Sequence, residues 1–528
     1  MKSFLNKNFA RTGLLLKFVI RRERIMSAIW ILSIVLATAV IAPTFNALAD
    51  NPALIEMLQT PAVIAMVGPV YGYTAGALFA AEMMLFVAIA VAVMNIFFVI
   101  RHTRSDEEKG RTEVLRSLPV GRLSILTSTL IGALIVNLIL ATLSFLSIAF
   151  LPFDGFGVGG ALVFGLGLGV VGFVFAGISA VLGQFFQSSR TAAAYAFGLL
   201  ILFYIMRAIG DVAAEGLSWI SPLGLVLRTQ AFVANKALPI VILLVIGLVL
   251  SVVALWLSSV RDIEQGLIPA KRGRDRAGLL LRNAFGMSFK LVRTMLIVFA
   301  IGLFLLGVSY GSIMNMMDDF ISGNEFLQAA FPDVEAFVAM IIVMTGIVAC
   351  IPVMIVQKRL IAEEKEGRME SVLACPVCRV RLFLGFYVIA ALSAIVMLFV
   401  SFLGLWGASA AVLDTPPSFG ILLGQTMAYL PALLFMIGVA ALLAGILPKK
   451  GFIAWIFLGF SFFISYFGGL LNFPSWTQFL SPFGFVPNFV GGANVAVAIV
   501  RLVGLTVVSL AMTTVGLIMY RRRDIKHN

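Results

Sequence analysis

Two stretches of the chain place carboxylates, arginines, a glycine and a proline at the same spacing. The first runs from Asp106 to Arg122 and contains Gly-Arg-Thr-Glu and then Pro-Val-Gly-Arg. The second runs from Glu363 to Arg379 and contains Gly-Arg-Met-Glu and then Pro-Val-Cys-Arg. Glycine near the start and proline near the end predict a short, bent, charged helix in each stretch. Because carboxylates and guanidinium groups in fixed positions form ion pairs that set the register of a docked surface, this pattern predicts docking to a partner protein.

A second pattern, Cys375-Pro376-Val377-Cys378, has the C-x-x-C spacing of zinc and redox sites. A zinc site needs further Cys or His ligands, and the chain has 3 cysteines and 2 histidines in all. The corresponding part of the first stretch reads Leu-Pro-Val-Gly and contains no cysteine. We therefore expect neither a metal site nor a catalytic site, and the chain is not expected to be an enzyme.

The elements that position these stretches are expected to cross a membrane. Hydrophobic residues make up 61% of the chain and charged residues 12%, which leaves too little polar surface for a soluble globule of this size. A membrane-spanning helix takes roughly 20 apolar residues, and about a dozen such runs occur. The predicted fold class is an all-α polytopic membrane protein. We expect spans near residues 26–46, 79–100, 124–152, 158–183, 191–208, 238–258, 294–310, 336–357, 383–413, 421–447, 451–471 and 494–520.

The distribution of charge predicts the orientation of the chain. The formal net charge is +13, and most Lys and Arg residues fall in alternate loops, whereas the other loops hold mainly acids. This distribution follows the positive-inside rule, which predicts both termini in the cytoplasm and gives no reason to expect nucleic acid as a partner. Before the first span, apolar residues recur at helical spacing among basic ones and predict an N-terminal amphipathic interfacial helix. These apolar residues are Phe4, Leu5, Phe9, Leu15, Leu16, Val19 and Ile20.

Comparison of the chain with itself indicates a tandem duplication. Besides the two charged stretches, segment 221–224 (Ser-Pro-Leu-Gly) returns as segment 481–484 (Ser-Pro-Phe-Gly). A long basic connection separates the two halves. We predict two six-span permease repeats, residues 1–260 and residues 261–528, that are parallel because each begins and ends on the inner side.

On these residues the chain resembles the ABC-2 type transporter permeases. The signature of that family is an acidic pair, then Gly, a Glu two or three residues later, an apolar pair and Pro-Val-x-Arg. The tandem twelve-span layout resembles the subgroup of exporters of polyketide antibiotics and other drugs; the likeness in layout covers the whole chain, and only the two charged stretches match closely. The resemblance implies that both stretches are cytoplasmic coupling helices that contact ATPase subunits. The implied ATPase-coupling residues are Glu107, Glu108, Gly110, Arg111, Glu113, Pro119, Glu363, Glu364, Gly367, Arg368, Glu370 and Pro376. Arg111 and Arg368 stand where the family usually has Thr.

The resemblance also implies partners and cargo. The sequence has no G-x-x-x-x-G-K-[ST] motif, so it cannot cradle ATP phosphates in that way. The expected partners are two copies of an ABC ATPase subunit, which bind ATP and Mg, while this chain binds no cofactor. The expected role is the permease of a multidrug or antibiotic-resistance exporter in the cytoplasmic membrane of a bacterium or archaeon. It would move a hydrophobic or amphipathic compound, drug-like or lipid-like, out of the cytoplasm or the inner leaflet of the bilayer.

Aromatic residues recur in the fifth and the eleventh predicted span. Aromatic faces bind apolar rings and cations without precise hydrogen bonds, which suits amphipathic cargo. Contact with lipid or helix packing would use the same residues. The candidate substrate route comprises Phe197, Phe203, Tyr204, Phe457, Phe460, Phe463 and Tyr466.

Two other functions remain open on the sequence. An ion-coupled secondary multidrug carrier would use ionisable residues within the membrane, for which Glu82, near the outer end of the second span, is the main candidate. A membrane enzyme acting on lipid-linked substrates would need acids, histidines or metal ligands clustered at one interface, and Asp318 with Asp319 comes nearest. A carrier would transport its cargo without an ATPase and would stop when the ion gradient collapses. This behaviour distinguishes it from the ATP-driven exporter that the resemblance implies.

Overall fold

The computed structural model describes residues 8–48, 55–56, 58–262, 265–268, 276, 278, 281, 283–314, 334–413, 416–470, 473–487, 489 and 495–523. Within these ranges the chain is built from helices, and no strand occurs. Eleven of the helices described are long and apolar enough to cross a membrane. The protein is therefore an all-α polytopic membrane protein, as its composition predicts. Its internal contacts divide the chain into two compact units, Met1–Gly273 and Arg274–Asn528.

The first unit is organised around one glycine-rich helix. Its long helices are α1 (Thr12–Ile41), α2 (Ala75–His102), α3 (Ser124–Ile148), α4 (Val158–Phe185), α5 (Ser189–Val212) and α6 (Leu238–Val260). Helix α4 packs against α2, α3, α5 and α6, and its glycines allow the neighbouring helices to approach closely. A Cβ on Gly172 would lie 2.2 Å from the side-chain oxygen of Asn137 on α3.

A pair of asparagines joins two helices beside this glycine. The side chains of Asn95 on α2 and Asn137 on α3 exchange hydrogen bonds of 2.9 Å and 2.7 Å. Each amide also donates to the backbone carbonyl four residues earlier in its own helix. Hydrogen bonds of this kind hold helices together where apolar contact alone gives little preference over lipid.

The second unit repeats the pairing of helices in the first. Its long helices are α7 (Ala284–Ser312), α8 (Val334–Lys365), α9 (Arg379–Val412), α10 (Leu430–Ile446), α11 (Ile453–Leu470) and α12 (Val495–Arg522). Helix α7 packs on α9 and α10 on α12, as α1 packs on α3 and α4 on α6 in the first unit. The short helix Phe419–Met427 precedes α10 and belongs to the same candidate span.

Several of the predicted spans differ from the observed helices. The span predicted near 294–310 is helix α7, which begins at Ala284, and the span predicted near 336–357 is helix α8, which continues to Lys365. The span predicted near 451–471 is the 18-residue helix α11, about 27 Å long at 1.5 Å per residue, and it is not among the eleven candidate spans. The fifth span, predicted to end near residue 208, continues to Val212. Asp211 therefore lies on α5 one turn after Arg207, and not in a loop.

The predicted N-terminal interfacial helix is not a separate element over the described residues. Phe4 and Leu5 lie outside the described residues, and Phe9 precedes a turn at Arg11, whose φ is 60°. The remaining apolar residues of this stretch, from Leu15 to Ile20, belong to α1. No glycine or proline interrupts the chain between Leu15 and Ile41, so the helix continues from the basic segment into the span.

The repeated Ser-Pro segments begin short helices between the fifth and sixth long helix of each unit. The side chain of Ser221 accepts a hydrogen bond from the amide of Gly224 and donates one of 2.7 Å to the carbonyl of Phe203. Ser481 likewise accepts from the amide of Phe483 at 3.3 Å. Proline follows the serine because the first position of a helix has no need of its amide hydrogen.

Candidate functional site

Both charged stretches fold into the same backbone shape. We name them hook 1 (residues 106–122) and hook 2 (residues 363–379). In each hook a glycine takes the left-handed conformation, with a φ of 69° at Gly110 and 71° at Gly367. A six-residue helix follows, Arg111–Arg116 or Arg368–Leu373. Because a Cβ is strained in this conformation, the turn accounts for glycine at the same position of both stretches.

Three backbone hydrogen bonds recur at matching positions of the two hooks. The amide of the glycine donates to the carbonyl of Glu107 in hook 1 and Glu364 in hook 2, at 3.0 Å in both. The residue after the short helix donates to the carbonyl of Glu113 at 3.0 Å or of Glu370 at 2.9 Å. The residue after the proline donates to the carbonyl of the residue before it, at 2.7 Å and 2.6 Å. The repeated sequence therefore folds into a repeated structure.

The acids at the base of hook 1 bind arginines of the first unit. Asp106 pairs with Arg22 of α1 and, at 3.1 Å, with Arg111 of the hook itself. Glu107 accepts from Arg261, the residue directly after α6, at 2.8 Å and 3.0 Å. The side chains of the two acids are only 10% and 9% exposed. They join the hook to the first and the last long helix of its unit.

The acids at the base of hook 2 also bind arginines within the second unit, and both acids belong to α8 itself. Glu363 pairs with Arg368 of the hook and with Arg359 of α8. Glu364 pairs with Arg523, the residue directly after α12. Both acid side chains are 6% exposed.

A third contact completes each arrangement. Arg122, at the end of hook 1, donates to the backbone carbonyl of Arg261 at 2.9 Å. Arg379, at the end of hook 2, donates to the backbone carbonyl of Arg523 at 2.8 Å. The arginine that follows the last long helix of each unit is therefore bound twice, through its side chain by a glutamate and through its backbone by an arginine.

Exposure divides the predicted coupling residues into two groups. Glu107, Glu363 and Glu364 have their carboxylates turned into the protein. The amide of Ser189 donates to Glu108 at 3.1 Å, although the residue as a whole is exposed. The exposed members of the predicted set are Glu108, Arg111, Glu113, Pro119, Arg368, Glu370 and Pro376.

The structure also changes which acids correspond between the hooks. The sequence signature takes Glu107 and Glu108 as one acidic pair and Glu363 and Glu364 as the other. Counted back from the left-handed glycines, Asp106 and Glu107 occupy the positions of Glu363 and Glu364. The ion pairs agree with this register, because each first acid binds the arginine after its glycine.

Sequence reasoning does not find Arg261 and Arg523, because both lie far along the chain from the hooks they bind. One signal could have found them. Each is a basic residue at the point where the last span of its half ends, on the side to which the hooks also belong.

Local surroundings change the proton affinity of arginines in both hooks. The hydrogen bond to Glu363, together with that to Glu366, raises the pKa of Arg368. Burial lowers the pKa of Arg116 in the short helix of hook 1. Both guanidinium groups remain cations at physiological pH.

The predicted substrate-route aromatics of α5 contact neighbours within the first unit. The ring of Phe197 lies 5.4 Å from Phe97 of α2, and that of Phe203 lies 6.3 Å from Phe175 of α4, measured between centroids. The hydroxyl of Tyr204 donates to a backbone carbonyl at 3.1 Å. All three side chains are partly buried.

The aromatics of α11 are more accessible. Phe460 is 42% exposed and Phe463 is 45% exposed. Phe457 lies 6.4 Å from Phe435 of α10, and Tyr466 stacks on a phenylalanine of its own helix at 5.6 Å. Two candidate rings of α11 are therefore exposed within its own unit, whereas the three candidate rings of α5 are partly buried.

Helix α5 contains a buried ion pair that the sequence analysis does not identify. Arg207 and Asp211 lie 3.3 Å apart with side chains 0% and 1% exposed. Arg207 also donates to three carbonyls in the last turn of the short helix Pro61–Val67, at 2.8 to 3.2 Å. Asp211 accepts from the hydroxyl of Ser218 at 2.7 Å. A cation at the C-terminal end of a helix binds its free carbonyls and its dipole.

Metal binding has no support in the geometry of the described residues. Over those residues, no group of three His, Cys, Asp or Glu side chains is close enough to hold a metal ion. Cys375 and Cys378 of hook 2 are both exposed.

Comparisons with known proteins place the chain in a family. A family model described as the C-terminal domain of the multidrug efflux system permease Rv1217c matches residues 15–257 and 281–521. The multidrug efflux system permease protein Rv1217c of Mycobacterium tuberculosis is 32% identical over 536 residues, which cover 98% of this chain and 96% of that protein. With this match over nearly its whole length, the chain belongs to the family of the multidrug efflux permease Rv1217c.

Proposed function

We propose that this chain is the membrane subunit of an ABC exporter driven by two copies of a separate ATPase subunit. ATP and Mg bind to those subunits, and the chain lies in a bacterial cytoplasmic membrane with both termini in the cytoplasm. The cargo is a hydrophobic or amphipathic, drug-like compound, which the name of the Mycobacterium tuberculosis relative supports. Residues 1–260 and 261–528 act as two permease repeats. Support for the repeats comes from the matched hooks and from the two separate segments that match the family model.

The main support for coupling between the ATPase subunits and the hooks is the way the hooks are joined to the long helices. Both hooks have a similar backbone, and each is connected to long helices of its own unit. Ion pairs join hook 1 to α1 and to the residue after α6, whereas hook 2 begins within α8 and an ion pair joins it to the residue after α12. The buried acids fix the base, and Glu113 and Glu370 remain exposed on the short helices. A partner that displaces a short helix therefore moves the ends of the helices fastened to it.

The energy for this displacement comes from differential binding. An ATPase pair can shift the permease only by as much as it binds one state better than the other. Reversing a population from 1:99 to 99:1 takes about 5.5 kcal/mol. Exposed carboxylates on the short helices offer the ATPase a specific surface to bind. The buried ion pairs hold the base of each hook in place, so that the hook moves together with the long helices to which it is joined.

The proposal is tested by reconstitution. The full chain and its co-purified ATPase are placed in proteoliposomes, and transport of a fluorescent amphipathic dye is followed with ATP, without ATP and with an ionophore. We expect transport that needs both ATP and the ATPase and that persists with the ionophore. Dye transport by the chain alone, abolished by the ionophore, would instead establish an ion-coupled carrier.

A further inference from the structure

A cavity of about 480 Å³ opens in the second unit, at the end of α8 that leads into hook 2. It lies between α8, the end of α10 and the start of α11. Its walls are largely apolar. They include Met354, Ile355, Ile361, Leu443, Phe452 and Trp455.

Cations line the same cavity, and no carboxylate of the described residues lies among them. Lys358, Lys365 and Lys449 line the cavity and are exposed. Over the described residues none of these three lysines forms an ion pair with an acid. The ammonium group of Lys358 lies 5.3 Å from the ring centroid of Trp455. Arg359 also lines the cavity, but it is already bound to Glu363.

We propose that this cavity binds the headgroup of an anionic phospholipid from the leaflet on the hook side of the membrane. Three lysines that pair with no acid in the described part of the chain attract the phosphate, and the apolar walls accept the adjoining acyl chain. A tryptophan at the edge of the cavity suits the boundary between headgroups and hydrocarbon. Basic pockets between membrane helices are a known form of anionic lipid site. That this leaflet is the inner one rests on the orientation proposed above.

The first unit supplies a contrast at the matching place. A cavity of about 500 Å³ there is lined by Phe97 and Arg101, which stand as far before Gly110 as Met354 and Lys358 stand before Gly367. Arg101, however, pairs with Glu23 at 2.8 Å, and Glu23 itself lines the cavity. Since acids already neutralise part of the charge, we assign the lipid site to the second unit alone.

Tryptophan quenching by brominated lipid tests the assignment on the purified full chain without any ATPase. The probes are dibrominated phosphatidylglycerol and dibrominated phosphatidylcholine in detergent micelles, and the Trp455→Phe variant identifies the fluorescence that comes from the cavity. We expect phosphatidylglycerol to quench this signal at concentrations at which phosphatidylcholine does not. The double variant Lys358→Gln with Lys449→Gln should weaken the apparent affinity about 25-fold, or roughly fivefold per lysine.

The matched control removes two cations from the first cavity through Lys109→Gln with Arg190→Gln, and the affinity at Trp455 should not change. Equal quenching by the two lipids, or an unchanged affinity in the Lys358 and Lys449 variant, would overturn the proposal. Displacement of the lipid by an equal concentration of inorganic phosphate would assign the site to a soluble anion and likewise overturn it. Because no ATPase is present, failure here leaves the coupling proposal to its own test.

Discussion

The guanidinium of Arg261 donates to both carboxylate oxygens of Glu107, at 3.0 Å and 2.8 Å. Arg261 follows the last long helix of the first unit, and Glu107 stands three residues before the left-handed glycine of hook 1. Arg523 and Glu364 form the same joint in the second unit. Each joint is shielded from water, so its energy depends on both partners being present, and this distinguishes it from an exposed ion pair.

We predict that Glu107→Gln destabilises the protein by about 3 kcal/mol, because Arg261 and Arg104, which pairs with the same carboxylate at 2.9 Å, are buried cations that both lose it. Both side chains are 9% exposed. The measurement is the midpoint of thermal or denaturant unfolding of the purified chain in detergent. Glu364→Gln should act in the same direction on the second unit.

A second substitution shows whether the loss of stability comes from the positive charge of Arg261 that Glu107→Gln leaves buried without its carboxylate. Adding Arg261→Met to Glu107→Gln removes one of the two buried cations, and part of the stability should return, while Arg104 still lacks the Glu107 carboxylate. If the loss of unfolding free energy in the double variant equals the sum of the losses in the two single variants, Glu107 and Arg261 do not stabilise the protein as a pair.

Charge reversal on the exposed faces of the hooks should affect coupling without affecting folding. We predict that Glu113→Lys with Glu370→Lys leaves the unfolding midpoint unchanged, since both residues are exposed and have no ion pair in the described chain. A partner surface that matched two carboxylates would now meet two cations, and such like-charge contacts oppose binding strongly. ATP-dependent dye transport should fall at least tenfold.

The control for this pair is Asp262→Lys, which reverses an exposed acid that follows α6 and lies outside both hooks. Its transport should equal that of the unmodified chain. Full transport by the Glu113 and Glu370 variant would remove these residues from the contact with the ATPase.

The left-handed glycines allow a test of the hook backbone itself. Gly110 has a φ of 69°, and a Cβ at that position would meet no atom within 4 Å. Gly110→Ala should therefore cost about 1 kcal/mol from backbone strain alone. Gly110→Asn should cost less, because asparagine tolerates this conformation. If transport falls with alanine and is retained with asparagine, the shape of the turn matters, whereas equal effects of both would point to the loss of glycine as such.

Sequence patterns predict much of the fold because the bilayer imposes simple rules. Runs of apolar residues locate most of the long helices to within a few residues, and the largest differences are at the starts of α1 and α7 and at the end of α8. These ends, like that of α5, differ for one reason: the predicted limits of spans lie at charged residues, whereas the helices continue through them. The basic stretch before α1 continues as helix, and Arg207 with Asp211 lies inside the protein because each charge finds a partner.

The hooks show where sequence reasoning stops. The repeat of Gly, Glu and Pro predicts two similar structures, and the shared φ values and hydrogen bonds agree with that. Which way each acid turns cannot be predicted from spacing, because Arg261 and Arg523, which bind Glu107 and Glu364, are distant in sequence and become neighbours of these acids only when the helices pack. The acids that look most available for docking are therefore the ones that hold the base of the hooks.

The buried pair on α5 yields the last prediction, which also bears on the ion-coupled alternative. Removing Arg207 as Arg207→Leu leaves Asp211 buried with one hydroxyl partner and deprives three carbonyls of their donor. Asp211→Asn leaves Arg207 bound to those same carbonyls. We therefore expect Arg207→Leu to destabilise the chain by about 4 kcal/mol and Asp211→Asn by about 2 kcal/mol.

Unfolding of the two purified variants in detergent measures this order, and the reverse order would mean that the carbonyl contacts contribute little. The same variants separate a structural ion pair from a proton carrier. A carboxylate that carries protons cannot be replaced by an amide without loss of transport. If the pair is structural, Asp211→Asn protein that remains folded should transport dye at nearly the normal rate, with the same insensitivity to ionophore as the unmodified chain.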